Sequence, residues 1–195
     1  LFIRLIPTTA SVSFALGKHM AQARGLGAAV ALADRANASY TNSAVANIRE
    51  GFLASGGTRF EVVEYDSRTQ PAFQKLAADV LARQPDGVAL VASPLDCALA
   101  AQRLRMLDPR VPLFSSTWGV ARELIQNGGG AVEGLESVVP FDPDSADPAY
   151  LAFAAEFAGR FGREPDYASV YNYEAVLLLA DALAMSPDAR GWELA

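Results

Sequence analysis

An unbroken apolar run at residues 87–93, GVALVAS, constrains the fold of this chain most strongly. It lacks the polar alternation of a strand that has one face in water. Such a run is typical of a strand covered on both faces, as in a parallel sheet between two layers of helices. We therefore predict that it is the central strand. The run ends at Ser93-Pro94, which would place this turn at the sheet edge where ligands bind in doubly wound folds.

The remaining patterns alternate between helix and strand around this run. Segments that are apolar or rich in residues of high β-propensity predict further strands at residues 28–33, 60–65 and 111–115. A last strand is predicted to end at residue 139. Helical periodicity, caps and glycine stops predict helices from Thr8 to about Ala23 and at residues 40–52, 72–83, 94–107 and 121–126. This order predicts an α/β fold with a flavodoxin-like, doubly wound parallel sheet, in which residues 28–32 lie beside the central strand.

Three loops should converge where the winding of the sheet changes direction. They are residues 34–40, 93–96 and 116–119. Their candidate ligand-binding side chains are Tyr40, Ser93, Thr117 and Trp118, with Asp34 and Ser116 nearby. Neutral hydroxyls and aromatic faces orient a small organic ligand by hydrogen bonds and stacking, without proton chemistry at neutral pH. The alternative is structural: the aromatic rings fill loops and Ser93 caps a helix.

Composition and motifs disfavour other functions. The net charge of -6 and the lack of a basic block argue against nucleic acid or an anionic membrane as partner. His19 is the only histidine and Cys97 the only cysteine, so neither a hydrolytic triad nor a zinc site is indicated. The glycines at 25–27 and 128–130 follow predicted helices, unlike a phosphate-binding loop. We therefore predict no enzyme activity, no metal and no cofactor.

The sequence changes character beyond Pro140. Residues 140–148, PFDPDSADP, are rich in proline and aspartate and predict an ordered connection. Two apolar helices are predicted after it, at residues 149–161 and 169–185. Little else in the sequence could cover them, so we expect further chain or an oligomer partner to cover residues 149–185.

Four segments carry a family resemblance: GAVEG at 130–134, PFDPDSADPAY at 140–150, FGREP at 161–165 and YEAVLLLADAL at 173–183. Together they resemble the type I periplasmic binding proteins, specifically the leucine/isoleucine/valine-binding branch of ABC importers. The resemblance implies two α/β lobes that close on a ligand. It assigns residues 1–8 and 140–148 to crossings between lobes, 9–139 to one lobe, and 149–195 to the helical part of an incomplete other lobe.

The resemblance also implies a function and a location. The chain would be an extracytoplasmic solute-binding protein, periplasmic or extracellular, that delivers a small molecule to the membrane permease of an ABC transporter. The alternative is a ligand-sensing domain of a receptor or transcriptional regulator. An enzyme of flavodoxin-like fold is a third possibility, but it would need a catalytic group that the sequence does not offer.

Ligand contacts follow from the resemblance at four places. Tyr40 matches a stacking tyrosine, Ser93 matches a contact after the third strand of the lobe, and Ala168 or Tyr171 lies near a contact before the last helix. Thr117 falls where amino-acid binders carry a glutamate for the ligand ammonium. The family favours an amino-acid-like ligand. Because the glutamate counter-charge is lost here, an aromatic or aliphatic carboxylate or an amide is expected instead of an amino acid.

Overall fold

The computed structural model describes residues 4–185 of the 195-residue chain. The chain divides into two units. One unit is Thr8–Val139, and the other combines Leu1–Pro7 with Pro140–Ala195.

Unit Thr8–Val139 contains a five-stranded parallel sheet. Its strands are β1 (Ala28–Asp34), β2 (Arg59–Tyr65), β3 (Gly87–Val91), β4 (Leu113–Ser115) and β5 (Glu136–Ser137). Their order is β2-β1-β3-β4-β5, with every neighbouring pair parallel. All five residues of β3 are buried in the middle of the sheet. The predicted central strand and the flavodoxin-like order are therefore confirmed.

Helices cover both faces of the sheet. They are α1 (Thr9–Lys18), α2 (Ala38–Ala54), α3 (Phe73–Leu81), α4 (Pro94–Leu107) and α5 (Arg122–Gly128). Successive side chains of a strand point to opposite faces. Accordingly, Val30 and Leu32 of β1 lie in the core under α3, α4 and α5, whereas the alternate alanines of β1 lie in the core under α1 and α2. This two-sided burial is why β1 and β3 are apolar at successive positions.

Side chains cap the starts of α1, α4 and α6. The Thr8 side chain accepts a hydrogen bond from the Ser11 N–H at 3.1 Å and caps α1. The helix predicted at residues 72–83 is observed as α3, which begins at Phe73. Gln70 is left-handed, the Phe73 N–H donates to the Pro71 carbonyl, and α3 begins only after this turn.

The second unit contains two helices, α6 (Pro148–Phe161) and α7 (Tyr167–Met185). Asp147 caps α6 by accepting the N–H groups of Ala149 and Tyr150. The Phe153 ring of α6 stacks on Tyr173 of α7, with ring centroids 4.3 Å apart. None of the helices within residues 4–185 combines the length and apolar character needed to cross a bilayer.

Candidate functional site

Tyr40 and Trp118 meet at the carboxyl edge of the sheet. Tyr40 lies in the first turn of α2, after β1, and Trp118 lies in a single turn of 3-10 helix, Thr117–Gly119, after β4. Their ring centroids are 5.5 Å apart and the ring planes are 68° apart, an edge-to-face arrangement. The main-chain N–H of Trp118 also donates to the Tyr40 Oη at 3.3 Å. Two half-buried rings from separate loops thus form an aromatic corner, Tyr40 with Trp118.

The predicted hydroxyl residues lie beside the same strand ends. Thr117 donates from its Oγ1 to the Val138 carbonyl at 3.4 Å. Ser93 caps α4, because its Oγ accepts the Asp96 N–H at 3.2 Å. Both residues are half-buried, so part of each side chain remains exposed. Each hydroxyl therefore has a structural partner in addition to any ligand role.

Asp34, expected near the site, has a structural role instead. It is only 2% exposed, and its carboxylate accepts hydrogen bonds from the Ala36 N–H, the Ser67 N–H and the Ser67 hydroxyl at 2.8–3.0 Å. These bonds join the loops that follow β1 and β2. A buried carboxylate requires such partners, so Asp34 shapes the mouth of the sheet without offering its charge to a ligand.

Ser116, directly after β4, is also buried. Its N–H donates to the Leu90 carbonyl at 3.0 Å and continues the ladder from β4 to β3. Within residues 4–185, its hydroxyl has no hydrogen-bond partner. The hydrogen bond from the Ser116 main-chain N–H to Leu90 fixes the point where the Thr117–Gly119 turn begins.

Tyr65 and Asp96 form a contact that the sequence did not predict. The Tyr65 hydroxyl donates to the Asp96 Oδ2 at 2.8 Å and joins the end of β2 to the first turn of α4. Burial raises the pKa of the Tyr65 hydroxyl and, with help from the nearby Asp34 charge, that of the Asp96 carboxyl. An acidic residue in a first helical turn is visible in the sequence, but its partner on a distant strand is not.

Ala168 and Tyr171 belong to the other unit. They line a groove there together with Arg4, Leu5 and Ile6. Ala168 is exposed, and the Tyr171 hydroxyl donates to the Pro140 carbonyl. The unit that contains Tyr40 and Trp118 therefore does not contain these two predicted contacts.

His19 contacts the carboxylate of Glu136 on β5, which also pairs with Arg24. Its Nε2 lies 2.6 Å from Glu136 Oε2, and the Arg24 Nε lies 3.2 Å from the other oxygen of that carboxylate. These contacts give the histidine a structural partner. The described residues contain no group of three or more histidine, cysteine, aspartate or glutamate side chains that could hold a metal ion.

Cys97 should react very slowly with thiol reagents in the folded protein. Its side chain is fully buried, and burial raises the pKa of its thiol from the ordinary value near 9 to about 12. The thiolate is the reactive form, so this shift alone lowers its population about a thousandfold at neutral pH. A colorimetric thiol assay at pH 8 should show almost no reaction before unfolding and rapid reaction in denaturant. Fast labelling of the folded protein would contradict the buried placement.

Comparisons with known proteins agree with the fold. The model of the periplasmic binding protein family matches residues 1–191. A leucine-binding protein from Thermotoga maritima has a TM-score of 0.84 at 22% identity, covering 93% of this chain and 51% of its own. An ABC transporter solute-binding protein from R. palustris, solved with benzoate, has a TM-score of 0.75 at 20% identity, covering 90% and 48%.

A third structure is the branched-chain amino acid transporter substrate-binding protein from Streptococcus pneumoniae, solved with isoleucine. It has a TM-score of 0.72 at 14% identity and covers 90% of this chain and 50% of its own. No curated protein sequence matches the chain. The structural likenesses show the fold, and the chain spans about half the length of these proteins. Because the family model covers nearly the whole sequence, the chain belongs to the periplasmic binding protein family.

Proposed function

We propose that this chain is part of an extracytoplasmic solute-binding protein of an ABC importer. The observation that carries the proposal is the aromatic corner of Tyr40 and Trp118 at the carboxyl edge of a parallel sheet. This edge is where open α/β sheets bind ligands, and the chain belongs to a family of binding proteins. Similar folds are found in transporter proteins solved with isoleucine and benzoate. The proposed partners are a small-molecule ligand and a membrane permease.

The proposed mechanism is closure of two lobes on the ligand. Residues 9–139 form one lobe, residues 1–8 and 140–148 cross between lobes, and residues 149–195 contribute helices to the other. A ligand that contacts both lobes stabilises the closed state, because only that state offers both sets of contacts. In this proposal, Ala168 and Tyr171 are further candidate ligand contacts, contributed by residues 149–195. The unit boundary at Val139 and Pro140 supports a crossing at this point.

The ligand is proposed to lie with an apolar or aromatic part against Tyr40 and Trp118. The two half-buried rings, whose planes are 68° apart, would contact such a group, because aromatic rings pack favourably against planar or aliphatic surfaces. Ser93 and Thr117 lie at the neighbouring strand ends and would add hydrogen bonds. Binding without turnover fits this set, since neutral hydroxyls and rings supply no general base at neutral pH.

Tyr40→Ala should weaken ligand binding by about 1 to 3 kcal/mol, because it removes a buried aromatic contact. The measurement is isothermal titration calorimetry on the full-length protein, with the compound that gives the largest thermal shift in a panel containing L-leucine, L-isoleucine and benzoate. Tyr40→Phe is the matched comparison. The Tyr40→Phe variant keeps the ring but removes the oxygen that accepts a hydrogen bond from the main-chain N–H of Trp118. It should therefore weaken binding less than Tyr40→Ala. Equal affinities for Tyr40→Ala and wild type would refute the role of Tyr40.

The Thr117 side chain should disfavour ligands that need a negative counter-charge at this position. Threonine cannot balance an α-ammonium group, and an unpaired buried charge is costly. A thermal-shift screen of matched carboxylates and amides with and without the α-amine should therefore favour the compounds that lack it. Thr117→Glu should shift this preference toward the amine by restoring the charge. Strong preferential stabilisation of wild type by leucine would count against this interpretation.

A further inference from the structure

The Thr117–Gly119 turn is packed where a side chain at position 119 would not fit. Gly119 is buried, and a Cβ placed on it would lie 2.4 Å from the Ser115 Oγ and 2.7 Å from the Cys97 Sγ. Both distances are shorter than any ordinary carbon contact, so something would have to move. The next nearest atom, the Ala92 carbonyl oxygen, is at 3.4 Å. The conflict therefore comes from two side-chain atoms.

Neither of these atoms can easily give way. Ser115 and Cys97 are both fully buried, one at the end of β4 and the other in the first turn of α4. The Ser115 hydroxyl donates to the Ser116 carbonyl at 3.0 Å, and the Gly119 N–H donates to the same carbonyl at 3.0 Å. Protein interiors are close-packed, so a methyl group at position 119 should displace the turn itself.

We propose that Gly119 is a positioning residue for ligand binding: its missing side chain seats the turn against Cys97 and Ser115 and thereby places Trp118 against Tyr40. The inference rests on the proposed function of the aromatic corner. Trp118 directly precedes Gly119, and its N–H bond to the Tyr40 Oη is already long at 3.3 Å. A small outward shift of the turn breaks this bond and separates the rings.

The test is a double-mutant cycle in the full-length protein. Gly119→Ala is made in wild type and in a Cys97→Ala/Ser115→Ala background, which removes both clashing atoms. The position of the turn is read from Trp118 fluorescence and near-ultraviolet circular dichroism, each taken as the difference from a matching Trp118→Phe variant. This readout needs no ligand. Affinity is measured with L-leucine and benzoate as probes, and Gly130→Ala serves as a control because a Cβ there meets nothing within 4 Å.

In wild type, Gly119→Ala should expose Trp118 and weaken probe binding about tenfold, as expected when a central aromatic contact is displaced. In the Cys97→Ala/Ser115→Ala background, the same substitution should change affinity less than about twofold. Equal effects in the two backgrounds, or an unchanged Trp118 signal in wild type, would overturn the inference and leave the proposed function standing. A displaced Trp118 with unchanged probe affinity would overturn the inference together with the proposed binding role of the corner.

Discussion

Gly51→Ala should destabilise the folded protein by about 3 kcal/mol, at the upper end of the usual cost of overpacking. A Cβ on Gly51 of α2 would lie 2.1 Å from the Phe14 carbonyl oxygen of α1. The reciprocal contact has the same character, since a Cβ on Gly17 of α1 would lie 2.0 Å from the Ile48 carbonyl oxygen of α2. Both obstacles are main-chain atoms. Only separation of the two helices can relieve the clash.

The helices cannot separate without opening the core beneath them. Leu16, Met20, Ile48 and Phe52 fill that core against the sheet and are almost completely buried. Moving α1 away would leave voids beside these side chains, and cavities in a core cost further stability. We expect Gly17→Ala to behave like Gly51→Ala for this reason.

The measurement is urea unfolding of the full-length protein followed by circular dichroism, and Gly130→Ala is the matched control. A Cβ at Gly130 meets no atom within 4 Å, so this variant should unfold within about 0.5 kcal/mol of wild type. If Gly51→Ala and Gly130→Ala unfold at the same urea concentration, the close approach of α1 and α2 is wrong.

The 195-residue chain alone should bind a hydrophobic dye strongly and associate with itself. On α7, Val176 is 65% exposed, and Leu177, Leu178 and Leu179 are 46–51% exposed. Successive residues of a helix point about 100° apart, so these four apolar side chains surround the helix. A helix that is apolar on all sides belongs in an interior, whereas an oligomer contact usually covers one face.

We therefore propose that α7 is covered by further polypeptide of the same protein, which completes the lobe that residues 149–195 begin. A second copy of this chain would not surround α7 in this way. The similar solved structures are about twice as long as this chain. Light scattering and dye fluorescence of the isolated chain, compared with the full-length protein, test the proposal. The full-length protein should be a monomer with little dye signal. A compact, dye-silent monomer of the isolated chain would contradict it.

The arrangement of the sheet could be predicted because its signals are local and redundant. The unbroken apolar run at β3 required cover on both faces, and alternation of helices and strands with right-handed crossovers left few possible orders. Convergence of the loops that carry Tyr40 and Trp118 followed from this order. The sequence predicted only that these two residues lie near each other. It did not predict the edge-to-face contact, because ring orientation depends on side-chain packing.

Other features depend on contacts between residues far apart in the sequence. Tyr65 contacts Asp96 only because the end of β2 and the start of α4 lie near each other at the carboxyl edge of the sheet. Asp34 was expected near a ligand. Its carboxylate accepts two hydrogen bonds from Ser67, which lies 33 residues away in the sequence. Gly119 falls in the predicted loop at residues 116–119, and the need for a glycine there appears only when Cys97 and Ser115 are placed around it. Sequence spacing carries no signal for any of these contacts.

The central claim is that a solute binds at the aromatic corner on the carboxyl edge of this sheet. A crystal structure of the full-length protein with the compound that most increases its melting temperature tests this claim most directly. We predict ligand atoms within about 4 Å of both the Tyr40 and Trp118 rings, the usual distance of apolar contact. A bound ligand that touches neither ring, with both rings in the arrangement described above, would contradict the claim.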